Sequence, residues 1–252
     1  MRKHLFGAVL GLLALVMASG QVQAAAGCPK SPMRVMVVGD SLADGLWASL
    51  TRTFAQCDTM RVVRLTAVSD GLAKTSGKDW IQRYFAKAGQ VRDKSADIVV
   101  VQLGANDITA IRNGRTRESF NTETWNSLYQ KRVMEMARTF EANAAEVFWF
   151  GLPIVGNTSW EPSYQIISQL QAAAVRKAGG RFIDIHELTK FGTGTFSMSG
   201  TIGGRVMQMR ASDKVHFTKP GYDYVASIVL PEIEKVIANH NRRIALQDVE
   251  IQ

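Results

Sequence analysis

Apolar runs and amphipathic stretches alternate along this chain from residue 33 to residue 239. The short runs Val35–Val38, Arg61–Ala67, Asp97–Leu103, Glu146–Gly151 and Arg181–Ile185 predict strands. The first belongs to Met33-Arg34-Val35-Met36-Val37-Val38, a β-branched run without polar alternation, as expected of a strand buried on both faces. Between and after these runs, Ala43–Ala55, Trp80–Gln90, Thr122–Ala142, Ser163–Ala178 and Tyr222–Asn239 predict helices with one apolar face. A helix between successive strands implies right-handed crossovers. The pattern therefore predicts an α/β fold, a three-layer α/β/α sandwich around a five-stranded parallel sheet. There is no internal repeat and no second core.

Two segments break the rhythm. Ile108–Glu123 is polar and carries Arg112, Arg115 and Arg117, and Phe191–Asp213 is rich in Gly, Ser and Thr. Connections of that length in a compact domain are usually functional or mobile.

The first residues do not fit the domain. Arg2, Lys3 and His4 precede an apolar run, Leu5 to Ala18, and Val22-Gln23-Ala24 places small residues at a cleavage position. This reads as a secretory signal peptide over 1–24. The alternatives are a membrane anchor, for which the apolar run falls short of the roughly 20 residues needed, and a lipoprotein modified at Cys28. A linker over 25–32, a catalytic domain over 33–242 and a solvated tail over 243–252 follow. The expected location is the periplasm or the exterior, with no membrane span.

Charge and cysteines add little. The chain has 30 basic and 22 acidic residues, a net +8; loss of Arg2 and Lys3 with the leader leaves +6. The basic residues are scattered and form no nucleic-acid arm. An exported cationic protein meets an anionic envelope polymer or surface more readily than nucleic acid. Export also allows Cys28 and Cys57 to pair, although both could be free thiols.

The candidate chemistry begins at Gly39-Asp40-Ser41-Leu42, where the first strand ends. Asp40 or Ser41 suits a helix cap, and a serine at the carboxyl end of a parallel strand also suits a nucleophile. A serine nucleophile needs an oriented base. Without the leader the histidines are His186, His216 and His240. His240 lies late in the last helix and His186 follows the fifth strand. His216 stands three residues after Asp213 in Asp213-Lys214-Val215-His216, a spacing that lets the carboxylate hold one ring nitrogen and leave the other for the serine. Oxyanion donors are offered by Gly71 in Val68-Ser69-Asp70-Gly71-Leu72 and by Asn106 in Gly104-Ala105-Asn106-Asp107, at two further strand ends. Trp160, after the fourth strand, either stacks on a sugar or staples the start of the next helix.

In these four blocks and their order, the chain resembles the SGNH hydrolases, the GDSL esterase/lipase superfamily, over Met33 to about Ile237. Within it, the Gly-Asp-Ser-Leu-Ala-Asp-Gly and Asp-Lys-Val-His-Phe-Thr runs look closest to exported bacterial proteins of unassigned substrate. The resemblance implies a flavodoxin-like fold, Ser41 as nucleophile, His216 as general base and acid, and Asp213 as its orienting carboxylate. It further implies Ser41, Gly71 and Asn106 as the oxyanion hole, with Asp40 and Asp107 as supporting acids. No metal and no cofactor is required. The implied reaction is hydrolysis of an O-acyl ester, most simply O-acetyl on an envelope or extracellular polysaccharide. An O-acyltransferase of the same fold and a non-catalytic polysaccharide-binding protein are the rival readings. Oligomeric state is not indicated.

Overall fold

The computed structural model describes residues 27–89, 97–144 and 146–250; the expected leader over 1–24 and Gln90 lie outside them. Five strands form one parallel sheet: β1 (Met33–Gly39), β2 (Met60–Thr66), β3 (Ile98–Gln102), β6 (Glu146–Phe150) and β7 (Arg181–Ile183), in the order β2-β1-β3-β6-β7. All five residues of β3 are buried. That is what a central parallel strand with helices on both faces requires. The helices α1 (Ser41–Thr53) and α5 (Lys219–Glu250) pack together, while α3 (Glu123–Glu141) packs with α2 (Gly77–Gly89) and α4 (Glu161–Ala178). Trp80, Trp125 and Trp149 are fully buried among them. Thr122 caps α3 through its hydroxyl, which accepts from Trp125 N.

The chain order reverses between β1 and β3, and the crevice at such a switch point, outside the carboxyl ends of the strands, is where α/β sheets place ligands. Ser41 follows β1, and Asn106 lies four residues beyond β3. Both open onto that crevice.

Two interruptions of the pattern fold into ribbons rather than loops. Ile108–Glu123 contains the hairpin β4 (Ile111–Asn113) and β5 (Thr116–Glu118), and Phe191–Asp213 contains β8 (Ser199–Ile202) and β9 (Arg205–Gln208). Likewise, 243–250 continues α5 as helix instead of forming a tail. Arg243, Ala245, Leu246, Gln247 and Asp248 are nevertheless exposed. The segment 27–32, expected as a linker, is fastened. Cys28 is disulfide-bonded to Cys57, Thr59 Oγ1 donates to Pro29 O at 2.6 Å, and Lys30 N donates to Asn241 Oδ1 at 2.7 Å. A bridge across a sequence separation of 29 removes about 3–4 kcal/mol of chain entropy from the unfolded state. It lies at the end of the sheet opposite the crevice.

Candidate active site

Ser41 is the first residue of α1, and its position follows from its neighbours. Gly39 has φ +147°, and a Cβ there would stand 1.8 Å from Gln102 O, so only glycine lets β1 end this close to β3. Asp40 then caps the helix, accepting from Leu42 N at 2.9 Å. Its other oxygen accepts from Gly104 N and Ala105 N, both at 3.0 Å. One buried carboxylate thus joins the turn carrying Ser41 to the turn carrying Asn106.

The Asp213–His216 turn faces Ser41 from the other side. His216 Nε2 lies 2.7 Å from Ser41 Oγ, and His216 Nδ1 lies 2.6 Å from Asp213 Oδ2. The second Asp213 oxygen accepts from Val215 N at 2.9 Å and His216 N at 3.0 Å. The carboxylate therefore shapes the turn with one oxygen and orients the ring with the other. With the Nδ1 proton directed at Asp213, the Nε2 lone pair accepts from the serine hydroxyl. Burial would raise the Asp213 pKa, but the bonds from His216 and the two backbone N–H groups outweigh it and hold the acid below the usual carboxylate range.

Asn106 and Gly71 meet on the third side. Asn106 Nδ2 donates one hydrogen to Asp70 O at 2.9 Å, which fixes the amide and leaves its other hydrogen available. Gly71 packs against Asp107, where a Cβ would fall 2.1 Å from Oδ1, so this site also demands glycine. The Gly71 N–H, however, donates to Asp70 Oδ1 at 2.8 Å. It can serve an oxyanion only by giving up that bond. Asp107 accepts from Ala73 N at 2.8 Å, Leu72 N at 3.2 Å and Tyr129 Oη at 2.7 Å, and so ties the Gly71 loop to the Asn106 turn.

Burial pushes Asp40 up from 3.8 to about 7, against the pull of the Leu42 and Ala105 N–H groups, and it raises Asp107 as well. An acid raised in the folded state contributes stability that is complete below its unfolded pKa and is lost as pH rises through the folded one. For Asp40 that window runs from about 4 to about 7. Asp40→Asn sets an amide NH₂ against backbone donors and should destabilise the fold by about 1–3 kcal/mol at pH 4.5. Urea unfolding of the two proteins should then show the gap narrowing by pH 8; a constant or widening gap would refute the raised pKa.

Two histidines stand elsewhere. His186 Nε2 lies 2.5 Å from Glu161 Oε1, at the start of α4, and His240 Nε2 lies 2.5 Å from Ser31 Oγ. Trp160 is 46 % exposed at the entry to α4. Its loop adjoins the His216 turn, since Gly156 N donates to Lys214 O at 3.0 Å.

The most consequential side chain that the sequence does not announce is Arg210. It is fully buried; Nη1 donates to Val215 O at 2.9 Å, Nη2 donates to Ile154 O, and the guanidinium lies 3.9 Å from the Phe217 ring centroid. Burial lowers its pKa to about 9. It clamps the residue preceding His216 to the loop after β6. Tyr129 and Gln171 form a second unannounced support, with Gln171 Nε2 donating to Tyr129 Oη at 2.9 Å beneath Asp107.

A family model described as a protein of unknown function (DUF459) matches residues 34–232. Solved structures similar to this one include a lipase/acylhydrolase from Enterococcus faecalis, with 16% identity and a TM-score of 0.58 over 81% of this chain and 96% of that one. An acetylxylan esterase from Geobacillus stearothermophilus shows 15% identity and a TM-score of 0.54, covering 81% and 94%. A GDSL-like lipase from Bacteroides thetaiotaomicron shows 17% identity and a TM-score of 0.53, covering 80% and 88%. These likenesses show the fold, which is the α/β fold of the SGNH hydrolases. None of the curated proteins matches the chain.

Proposed function

This chain belongs to the DUF459 family, and from its fold and the geometry of its crevice we propose that it is an exported serine esterase that hydrolyses O-acetyl esters on an envelope or extracellular polysaccharide. The observation that carries the reading is the continuous Asp213–His216–Ser41 hydrogen-bond relay at the crevice, with distances of 2.6 and 2.7 Å.

Ser41 Oγ attacks the ester carbonyl carbon while His216 Nε2 takes its proton, and Asp213 stabilises the imidazolium that forms. The carbonyl oxygen, now an anion, is met by the Ser41 N–H at the start of α1 and by the free hydrogen of Asn106 Nδ2. Gly71 N–H joins them on release from Asp70. His216 then returns the proton to the leaving alcohol oxygen as the tetrahedral intermediate collapses to acyl-Ser41. Water repeats the sequence and releases the acid. A sugar hydroxyl in place of that water would make the protein an acyltransferase.

Export is supported by the leader-like N-terminus and by the Cys28–Cys57 bridge, which oxidising compartments preserve. No helix among the described residues is long and apolar enough to cross a membrane. The acetyl group is suggested by the acetylxylan esterase among the structures of like fold.

The test combines labelling with product release. The folded protein should react with a fluorophosphonate probe at Ser41 and release acetate from an acetylated glycan. Absence of labelling on folded protein would sink the esterase reading. Labelling accompanied by acetyl transfer to sugar acceptors, without free acetate, would replace hydrolysis by transfer.

A further inference from the structure

The β4–β5 hairpin is charged in a way that its own stability opposes. Arg112, Arg115 and Arg117 are all exposed, and Arg112 and Arg117 are direct cross-strand partners. Like charges set opposite each other destabilise an antiparallel pair, and a ribbon of two three-residue strands has little pairing of its own to set against that. The hairpin's carboxylate, Glu118, accepts from Thr116 Oγ1 at 2.8 Å and Asn113 Nδ2 at 3.5 Å and forms no ion pair with the three arginines. Among the described residues, none of the three guanidinia forms an ion pair with a carboxylate.

The placement of this charge is as telling as its amount. Arg132 of α3 lies beneath the hairpin and donates to Arg112 O at 3.2 Å, to Leu72 O at 2.6 Å and to Ala73 O at 3.3 Å. A fourth cation therefore locks the arginine hairpin to the loop that carries Gly71. Trp125 Nε1 adds a second anchor, donating to Thr109 O at 2.8 Å between the Asn106 turn and the hairpin. Solubility needs charge dispersed over the surface. It does not call for like charges paired on a ribbon that is pinned beside a candidate oxyanion loop.

We infer that this hairpin binds the anionic groups of the polymer that carries the ester, making the substrate an acylated polyanionic glycan rather than a neutral one; this rests on the esterase reading above. Arginine forks suit carboxylate and phosphate alike. A lipid surface fits less well, because adsorption to a bilayer also takes inserted apolar side chains. Among the described residues the exposed large hydrophobics are Val68, Trp160, Leu188, Val206 and Leu246, none of them on the hairpin.

Binding is best measured on the Ser41→Ala protein, so that the outcome does not depend on whether Ser41 cleaves an ester; probe labelling of the parent judges that question separately. The probes are polygalacturonate, a glycerol-phosphate teichoic polymer, neutral xylan and phosphatidylglycerol vesicles, at about 0.05 M and 0.5 M salt. At least one of the two polyanions should bind at low salt and be released at high salt. Arg112→Gln/Arg115→Gln/Arg117→Gln should weaken that binding about tenfold or more. The control Arg61→Gln/Arg138→Gln/Arg243→Gln removes the same charge from other exposed sites and should weaken it by about twofold at most. The polymer that shows the larger hairpin-dependent loss identifies carboxylate or phosphate as the recognised anion. The inference is overturned by equal losses in the two triples, by no hairpin-dependent binding of either polyanion, by equal affinity for xylan, or by tighter hairpin-dependent binding to the vesicles.

Discussion

Ser41→Ala is expected to lower kcat for ester hydrolysis by about 10⁴–10⁶-fold, with KM and the unfolding midpoint close to those of the parent. The size follows from how the groups are linked. In the proposed mechanism Ser41 Oγ forms the covalent bond and His216 carries its proton, and Asp213 holds the ring by Nδ1. Groups that act as a unit lose most of their effect when any one is removed. His216→Ala should therefore fall in the same range, and the double variant should be scarcely slower than either single one. Asp213 is 50 % exposed at its side chain, so water can partly replace it, and Asp213→Asn should lose less. Steady-state rates on an aryl acetate decide the matter. Losses that multiply across the double variant would show that Ser41 and His216 do not act on one proton.

The elements that the sequence announces are those whose signal is local or repeated. β3 is buried along its whole length, so its apolar run is unbroken, and α3 begins at the threonine that caps it. The Asp213–His216 turn is legible because Asp213 organises it locally, through the N–H groups of Val215 and His216. The histidines are less separable in sequence. His186 has carboxylate partners too, Glu187 beside it and Glu161, 25 residues away, and together they occupy both ring nitrogens, the second by a pairing that only the folded chain brings about. Arg210, Tyr129 and Gln171 escape for the same reason: each is a polar residue whose partners lie on other elements. The two hairpins escape because three- and four-residue strands are too short to show a period. The last turns of α5 escape because an exposed helix end carries no apolar stripe, while the helix still continues where nothing breaks it.

What the fold adds to the motifs is a set of ties between them. Asp40 joins the Ser41 turn to the Asn106 turn, Asp107 joins the Asn106 turn to the Gly71 loop, and Arg210 joins the His216 turn to the loop after β6. Each tie uses a buried polar side chain on backbone atoms, where displacement would leave it without partners in a medium that solvates it poorly. The geometry of Ser41, Asn106 and His216 is thus held by groups outside the proposed relay. Placement within fractions of an ångström is what acyl transfer asks of such a frame.

Asn106→Ala is expected to lower kcat by about 10²–10³-fold while leaving KM within about threefold. The amide is held by one hydrogen bond to Asp70 O, so its second N–H can meet an oxyanion at no further ordering cost. A donor of this kind meets charge that exists only once the serine has attacked. Its removal should therefore raise the barrier without weakening ground-state binding. Gly71 is placed differently, because its N–H is already engaged with Asp70 Oδ1 and gains only the difference between two acceptors. Most of the oxyanion stabilisation should then rest on Asn106 and on the Ser41 N–H at the start of α1. The measurement is kcat and KM on the same aryl acetate, with labelling by a fluorophosphonate followed in parallel, since phosphonylation builds a similar charge on oxygen. Both rates should fall together. A rise in KM at constant kcat would make Asn106 a substrate-binding residue, and an unchanged labelling rate would place the oxyanion against other donors.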